Sequence, residues 1–124
     1  MVIQKDAQYQ QQLLEAWEET YKKGQLSFWL FLSLKEGDKY MDEIRTFITD
    51  STKGTLTCEE QSLYRTLRKY RELGMVDFRT GPGVGGPERK YYFLTQLGKD
   101  LFRLFISRNI KLFYEPRIQK LILK

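Results

Sequence analysis

The chain has 124 residues, of which 41% are hydrophobic and 30% are charged, so it can bury one core but contains no apolar run of the roughly 18 residues that a membrane span requires. We therefore expect a single domain over residues 1–124. The absence of histidine and the presence of one cysteine exclude Ser-His and Cys-His nucleophiles and the usual zinc sites, so we expect no enzyme, metal or cofactor.

The net charge of +5 is distributed unevenly along the chain. Residues 1–20 carry a net charge of −3, whereas residues 96–124 carry +5. The acidic beginning and the basic end could therefore lie side by side. The start of the chain, from Met1 to Asp6, is too polar for a secretory signal, and together with the single cysteine it favours a cytoplasmic protein.

Three helices are predicted in the first part of the chain. The first runs from about Ala7 to Lys22 and is amphipathic, with one face that requires a partner. That face carries Leu13, Leu14, Trp17 and Tyr21. The second follows Gly24 and is apolar on nearly all sides up to Gly37, which is typical of a central core helix. The third has Asp38 as its expected N-cap and ends in the turn-rich residues 50–54.

A fourth helix carries the clearest functional pattern. Thr57-Cys58-Glu59-Glu60 fits a capping box, so we expect this helix to begin near Cys58. Three residues form its apolar stripe, and six others lie on the opposite, mostly basic side. The stripe consists of Leu63, Leu67 and Tyr70, and the opposite side of Gln61, Ser62, Arg65, Arg68, Lys69 and Glu72. The third and fourth helices would form a helix-turn-helix pair.

Gly74 then stops the helix, and the apolar period changes to that of a β-hairpin. Val76 and Phe78 share one face of the first strand, and Tyr92 and Leu94 are the expected inward pair of the second. The glycine-rich tip over residues 81–87 matches G-x-G-x-x-G, but a dinucleotide site needs a helix after this motif, and here a strand follows. A hairpin tip is the stronger interpretation.

Thr95 is expected to cap a long final helix that reaches about Tyr114, where Pro116 ends or kinks it. This helix, over residues 96–115, has an apolar face wider than a small domain needs to bury, which favours dimerisation. The candidate dimerisation residues are Leu101, Leu104, Phe105, Leu112 and Phe113. The pattern does not indicate whether residues 117–124 pack or fray. The fold class expected is mostly α with a small β-hairpin (α+β), a winged helix-turn-helix core over residues 24–95 with helices added at both ends.

Four segments between Lys23 and Leu101 resemble the PadR-type winged-helix transcriptional regulators. The segments are Lys23-Gly24-Gln25-Leu26, residues 62–69 in the fourth helix, residues 72–76 after it, and residues 89–98 at the end of the hairpin. The resemblance implies a homodimeric DNA-binding protein of a prokaryotic cytoplasm and nucleoid, which usually represses transcription from a pseudo-palindromic operator. In some members an aromatic or hydrophobic ligand releases the DNA.

In such a dimer the fourth helix would enter the major groove and the wing would contact the DNA backbone. Candidate residues for base readout are Gln61, Ser62 and Arg65. Candidate residues for backbone contact are Thr57, Tyr64, Arg68, Lys69, Arg79, Arg89 and Lys90. Two alternatives stay open: an architectural or replication-terminator-like winged helix, and a ligand-sensing or protein-interaction module without DNA. In the latter, Trp17 and Trp29 could line an effector pocket in a dimer.

Overall fold

The structure, a computed structural model, describes residues 6–124, so most of the polar start on which the secretory-signal argument rests lies outside the described residues. Six α-helices and one two-stranded antiparallel sheet make up this part of the chain, which confirms the predicted fold class. The elements are α1 (Asp6–Lys22), α2 (Gln25–Glu36), α3 (Met41–Ser51), α4 (Glu60–Glu72), β1 (Val76–Gly81), β2 (Arg89–Leu94), α5 (Gln96–Phe105) and α6 (Pro116–Ile122). Within residues 6–124 no helix is both long and apolar enough to cross a membrane.

The core forms around α2, as its apolar sequence predicts. Leu30 is fully buried, and every other element from α3 to α5 places at least one apolar side chain against the same cluster. The buried members are Leu30, Phe31, Leu34, Ile44, Ile48, Leu63, Leu67, Val76, Tyr92, Leu94 and Phe102. Burial of each large aliphatic side chain contributes about 1.5 to 3 kcal/mol, so this cluster fixes how α4 and the hairpin sit on α2.

The hairpin register runs from the pair Val76 and Leu94 to the pair Gly81 and Arg89 at the tip. Tyr92 and Leu94 are buried, so the predicted inward pair is confirmed. The backbone of Lys39 extends the sheet, because its N–H donates to the Tyr92 carbonyl (3.1 Å) and its carbonyl accepts from the Tyr92 N–H (2.8 Å). The start of α3 is thereby tied to the wing.

The junction between α4, β1 and α5 is tightly packed. Gly74 has φ of +82°, a left-handed conformation that L residues rarely adopt, as predicted for the end of the fourth helix. Oγ1 of Thr95 donates to the Gly74 carbonyl (2.6 Å) and accepts from the Gly98 N–H (3.1 Å), so Thr95 caps α5 as expected. The Thr95 N–H also donates to the Met75 carbonyl at 3.1 Å. These bonds attach α5 to the end of α4.

Two predicted helix N-caps are wrong. Tyr40, not Asp38, is the N-cap of α3, and its N–H donates to Oε1 of Glu43 at 3.1 Å. Asp38 instead forms an ion pair with Arg79 of the hairpin. The expected capping box at Thr57 is absent, because α4 begins at Glu60 and Glu59 is its N-cap. Residues before Glu60 stay extended because tertiary contacts described below hold them.

The predicted single helix up to Tyr114 is also wrong. The α-helix ends at Phe105 and is followed by a π-helical turn over Ile106–Ile110 and a 3₁₀ turn over Lys111–Tyr114. Nδ2 of Asn109 donates to the Phe105 carbonyl at 3.1 Å, a side-chain bond that competes with the backbone ladder. Pro116 occupies the first turn of α6, where its missing N–H costs nothing.

The apolar face predicted for the last helix divides into two parts. Phe102 is buried in the core, and Ile106 packs against it. The five predicted dimerisation residues are all at least 39% exposed in the protomer. The stripe predicted for α1 is exposed as well, with no buried residue in that helix and Trp17 72% exposed. Both ends of the described chain therefore present apolar surface that this protomer does not cover.

Candidate nucleic-acid interface

The polar face of α4 is exposed to solvent because the apolar face of the helix is buried in the core. Leu63 is fully buried and Leu67 nearly so, which turns the side chains half a helical turn away into solvent. Gln61 and Arg65 are exposed on that face, and Ser62 is half-buried beside them. Nη2 of Arg65 donates to Oγ of Ser62 at 3.4 Å, so two of the three residues predicted to read bases are in contact.

Arg45 of α3 holds the start of α4, and sequence patterns did not single it out. Its Nε donates to the Cys58 carbonyl at 3.3 Å, and Nη1 lies 3.9 Å from carboxylate oxygens of both Asp42 and Glu60. These bonds explain why residues before Glu60 are not helical. The sequence does contain a signal that could have identified Arg45. It is a basic residue on α3, the first helix of the helix-turn-helix pair, and it faces the acidic first turn of α4, the second helix of the pair.

A groove of about 450 Å³ separates α4 from the hairpin. It brings together three of the predicted backbone contacts, and it adds cationic, acidic and aromatic residues that were not predicted. The predicted members are Tyr64, Arg68 and Lys90, and the additional ones include Arg71, Glu72, Asp77 and Phe78. Within residues 6–124 no carboxylate lies within ion-pair distance of Arg68 or Lys90. Their charges are therefore available to a ligand.

The other two basic residues predicted for the wing lie elsewhere. The strand register puts Arg79, Tyr91 and Arg89 on the hairpin face opposite to that of Lys90. Nε of Arg79 pairs with Oδ2 of Asp38 (3.2 Å), and its guanidinium lies 4.8 Å from the centre of the Tyr91 ring. The Arg89 guanidinium lies 4.1 Å from the centre of the Tyr40 ring. These two arginines form a separate, aromatic-supported surface.

Thr57 and Lys69 complete the set of predicted backbone contacts. Thr57 is exposed in the extended segment before α4, close in sequence to the predicted base-reading residues. Lys69 is exposed, but its Nζ lies 5.5 Å from the centre of the Tyr70 ring, towards the apolar side of α4. The structure thus distributes the predicted phosphate contacts around the helix and does not align them on one stripe.

A second, apolar groove of about 270 Å³ lies between α2, α4 and α5. Aromatic rings dominate its walls, and Phe31 meets Tyr70 edge to face with ring centres 4.9 Å apart. The aromatic lining residues are Phe28, Phe31, Tyr70, Phe102 and Phe105. Neither Trp17 nor Trp29 lines this groove. Trp29 is half-buried, and its Nε1 donates to Oε1 of Gln25 at 3.4 Å.

Burial and hydrogen bonding change the pKa of three groups near these surfaces. Burial raises the pKa of the Cys58 thiol, and the charge of Arg45 offsets only part of this effect, so the thiol is protonated at neutral pH. The Phe78 N–H, followed by Arg71, lowers the pKa of Asp77. Burial raises the pKa of Tyr92, whose hydroxyl stays a donor. The described residues contain no cluster of acidic or cysteine side chains that could hold a metal ion.

Comparisons with known proteins, by sequence and by structure, find similarity to one family. Residues 30–104 match the model of the transcriptional regulator PadR-like family. A PadR family transcriptional regulator from Eggerthella lenta is similar in fold, with a TM-score of 0.72 at 19% identity, over 93% of this chain and 96% of that one. Bacillus subtilis PadR in complex with operator DNA gives a TM-score of 0.59 at 22% identity, over 65% of this chain and 46% of that one. An uncharacterised Lysinibacillus sphaericus protein is 29% identical over 77 residues, which span 62% of this chain and 71% of that protein.

Proposed function

The chain belongs to the PadR-like family of transcriptional regulators, and we propose that it is a homodimeric repressor that binds double-stranded DNA of defined sequence. One observation carries the proposal: α4 presents a polar, mostly basic face to solvent, beside a groove in which Arg68 and Lys90 have no carboxylate of residues 6–124 within ion-pair distance. Such a regulator would act in a prokaryotic cytoplasm, on the DNA of the nucleoid. The operator-bound Bacillus subtilis PadR supports this partner by its similar fold.

In the proposed complex the N-terminal half of α4 faces the base edges of the major groove. Arg65 can donate two hydrogen bonds to guanine, and Gln61 can pair with adenine in the same bidentate way. Ser62 restrains the Arg65 guanidinium before DNA binds, which lowers the cost of ordering a long side chain in the complex. These three residues would determine sequence preference.

The predicted backbone contacts contribute affinity rather than sequence choice. Tyr64, Arg68 and Lys90 would meet phosphates from the groove between α4 and the hairpin, with Thr57 and Lys69 on either side of it. Arg79 and Arg89 would reach the backbone only from the opposite face of the wing. Because Asp38 already pairs with Arg79, we expect Arg79 to contribute less than Lys90.

The dimer would form through the exposed apolar surfaces at the two ends of the chain. Leu101, Leu104, Phe105, Leu112 and Phe113 form one surface, in a region with net charge +5. The exposed stripe of α1 forms the other, in a region of net charge −3. Opposite charge favours α1 of one copy against α5 of its partner, and a twofold axis would set two α4 helices about 34 Å apart.

Release of DNA by a small aromatic or hydrophobic ligand is supported by the apolar groove between α2, α4 and α5. A planar ligand there would contact Tyr70 of α4 and Phe105 of α5, which connects the DNA-reading helix to the proposed dimer surface. Trp29 adjoins this region, because its ring meets Phe28 edge to face at 5.7 Å. Quenching of Trp29 fluorescence by aromatic compounds, measured in a Trp17→Phe variant, tests the site.

Selection of bound fragments from a random duplex pool tests the function. We expect a pseudo-palindromic sequence with half-sites about one helical turn apart. Arg65→Ala should weaken binding to that sequence by roughly 1 to 3 kcal/mol and relax preference at one position in each half-site. Failure to enrich any duplex would favour a ligand-sensing or protein-interaction module. Enrichment of replication-terminus fragments instead of promoters would favour a terminator-like role.

A further inference from the structure

The groove between α4 and the hairpin holds two cations against one aromatic ring. Cζ of Arg71 lies 4.4 Å from the centre of the Phe78 ring, and Nζ of Lys90 lies 4.7 Å from the same point. Arg68 lines the same groove, with its Cζ 5.4 Å from the centre of the Tyr64 ring. Like charges held in one cleft repel each other, and an anion bound between them removes that cost.

The carboxylates in the groove balance only part of this charge. Oδ1 of Asp77 accepts from Nε of Arg71 at 3.0 Å and from the Phe78 N–H at 2.8 Å. Glu72 lines the groove but forms no ion pair with another described residue. Asp77 therefore restrains Arg71 through one edge of the guanidinium, and the terminal Nη groups keep their donors for another acceptor.

We propose that this groove is a binding site for one phosphodiester of the DNA backbone, and that Arg71, Arg68 and Lys90 together bind this phosphate. This inference rests on the proposed function and adds to it a contact that the sequence pattern does not identify. Asp77 acts as a positioning residue, since it touches Arg71 and not the phosphate.

The position of the groove favours a backbone phosphate over a free anion. Tyr64 and Arg68 on its wall flank Arg65 in sequence, so a DNA strand whose bases meet Arg65 passes the groove. Arg71 is half-exposed, with its side chain 52% accessible, and can reach a ligand without rearrangement of the core. Both partners of its ion pair are accessible, so water screens the pair, and its loss should not unfold the protein.

The salt dependence of binding to a random duplex tests the proposed phosphate-binding site. Each phosphate neutralised by the protein contributes about 0.9 to the slope of log K against log salt, and Arg68 and Lys90 remain beside the phosphate, so Arg71→Ala should reduce this slope by up to about one unit. Arg103→Ala is the matched control, because it removes the same charge from α5, outside the groove, and should leave the slope unchanged. Asp77→Asn should keep the wild-type slope. Thermal unfolding of each variant checks that the fold is intact.

A second measurement locates the phosphate. Neutral methylphosphonates placed one at a time in the selected duplex should include one position per half-site that weakens wild-type binding more than it weakens binding by Arg71→Ala. Equal slopes for Arg71→Ala and the wild type, equal reductions for Arg71→Ala and Arg103→Ala, or no coupled phosphate would each overturn the inference. Saturable binding of inorganic phosphate to the free wild type, with DNA binding unaffected by Arg71→Ala, would assign the groove to a small anion instead and would also overturn it. If the wild type itself shows no salt-dependent duplex binding, the proposed DNA-binding function is wrong, and not only the proposed phosphate-binding site.

Discussion

Substitution of Gly98 by alanine should destabilise the protein even though Gly98 lies in a helix. In an exposed helix, Gly→Ala stabilises by about 1 kcal/mol. At this position a Cβ would overlap the Met75 carbonyl oxygen and lie 3.0 Å from the carbonyl carbon and 3.3 Å from Cδ2 of Leu94. The oxygen belongs to the backbone and is already bonded to the Thr95 N–H, so it cannot move as a flexible side chain would.

The steric overlap destabilises the folded state by more than the higher helix propensity of alanine stabilises it. Overpacking against a well-packed core typically costs about 1 to 3 kcal/mol, and a backbone clash belongs at or beyond the upper end of that range. We expect a net loss of about 2 kcal/mol in the free energy of unfolding, which corresponds to a fall in Tm of roughly 8 °C for a domain of this size. Because Gly98 joins α5 to the end of α4, DNA affinity should fall with it.

Chemical denaturation and thermal unfolding at one fixed protein concentration measure the effect, since the stability of a dimer depends on concentration. Gly86→Ala is the matched control: a Cβ at Gly86 in the hairpin tip meets nothing within 4 Å. We expect that variant to stay within about 0.5 kcal/mol of the wild type. A Gly98→Ala protein as stable as the wild type, or more stable, would refute the packing argument and leave helix propensity as the deciding term.

Three further predictions concern the dimer surface, the cysteine and the wing. Leu104→Glu should yield a monomer in sedimentation experiments, whereas Leu73→Glu, at a site of equal 57% exposure on the end of α4, should stay dimeric; loss of dimer in both would implicate non-specific destabilisation. Iodoacetamide should label native Cys58 slowly at pH 7, with a rate still rising above pH 9; a plateau below pH 8 would contradict the raised pKa. The pKa of Asp77 is lowered by folding, so its stabilising effect is complete above about pH 4 and is lost as pH falls through the lowered value. The difference in unfolding free energy between wild type and Asp77→Asn should therefore be constant from pH 7 to 5 and shrink below pH 4.

The sequence alone was sufficient to predict features that depend only on interactions between residues close together in the chain. The apolar stripe of α4 follows directly from the 3.6-residue period, and Leu63 and Leu67 are buried as it predicts. The inward pair of β2 follows from strand alternation, and Thr95 caps α5 because its hydroxyl accepts from the N–H of Gly98, three residues further along the chain. These features need no knowledge of the rest of the chain.

The sequence-based predictions were wrong where a group had both a local partner and a partner distant in sequence. Thr57 satisfies the capping-box pattern, but Arg45, a distant residue in sequence, binds the Cys58 carbonyl and delays the start of α4. Asp38 is a good N-cap by composition, yet it pairs with Arg79 across the fold. Side chains that can serve a local or a long-range partner are decided by tertiary geometry, since the local and long-range bonds differ little in free energy.

The sequence by itself determined that the chain forms a mostly helical fold with one hairpin, and it identified the polar face of α4, because helix and strand periods need only neighbouring residues. Only the tertiary structure decided which cations share a surface. Lys90 and Arg79 are both basic residues of the wing, but the antiparallel register puts Lys90 beside Arg71 and α4, and Arg79 on the opposite face beside Asp38. Charge counts along a chain do not contain that register, which is fixed by the burial of Val76, Tyr92 and Leu94 against the core.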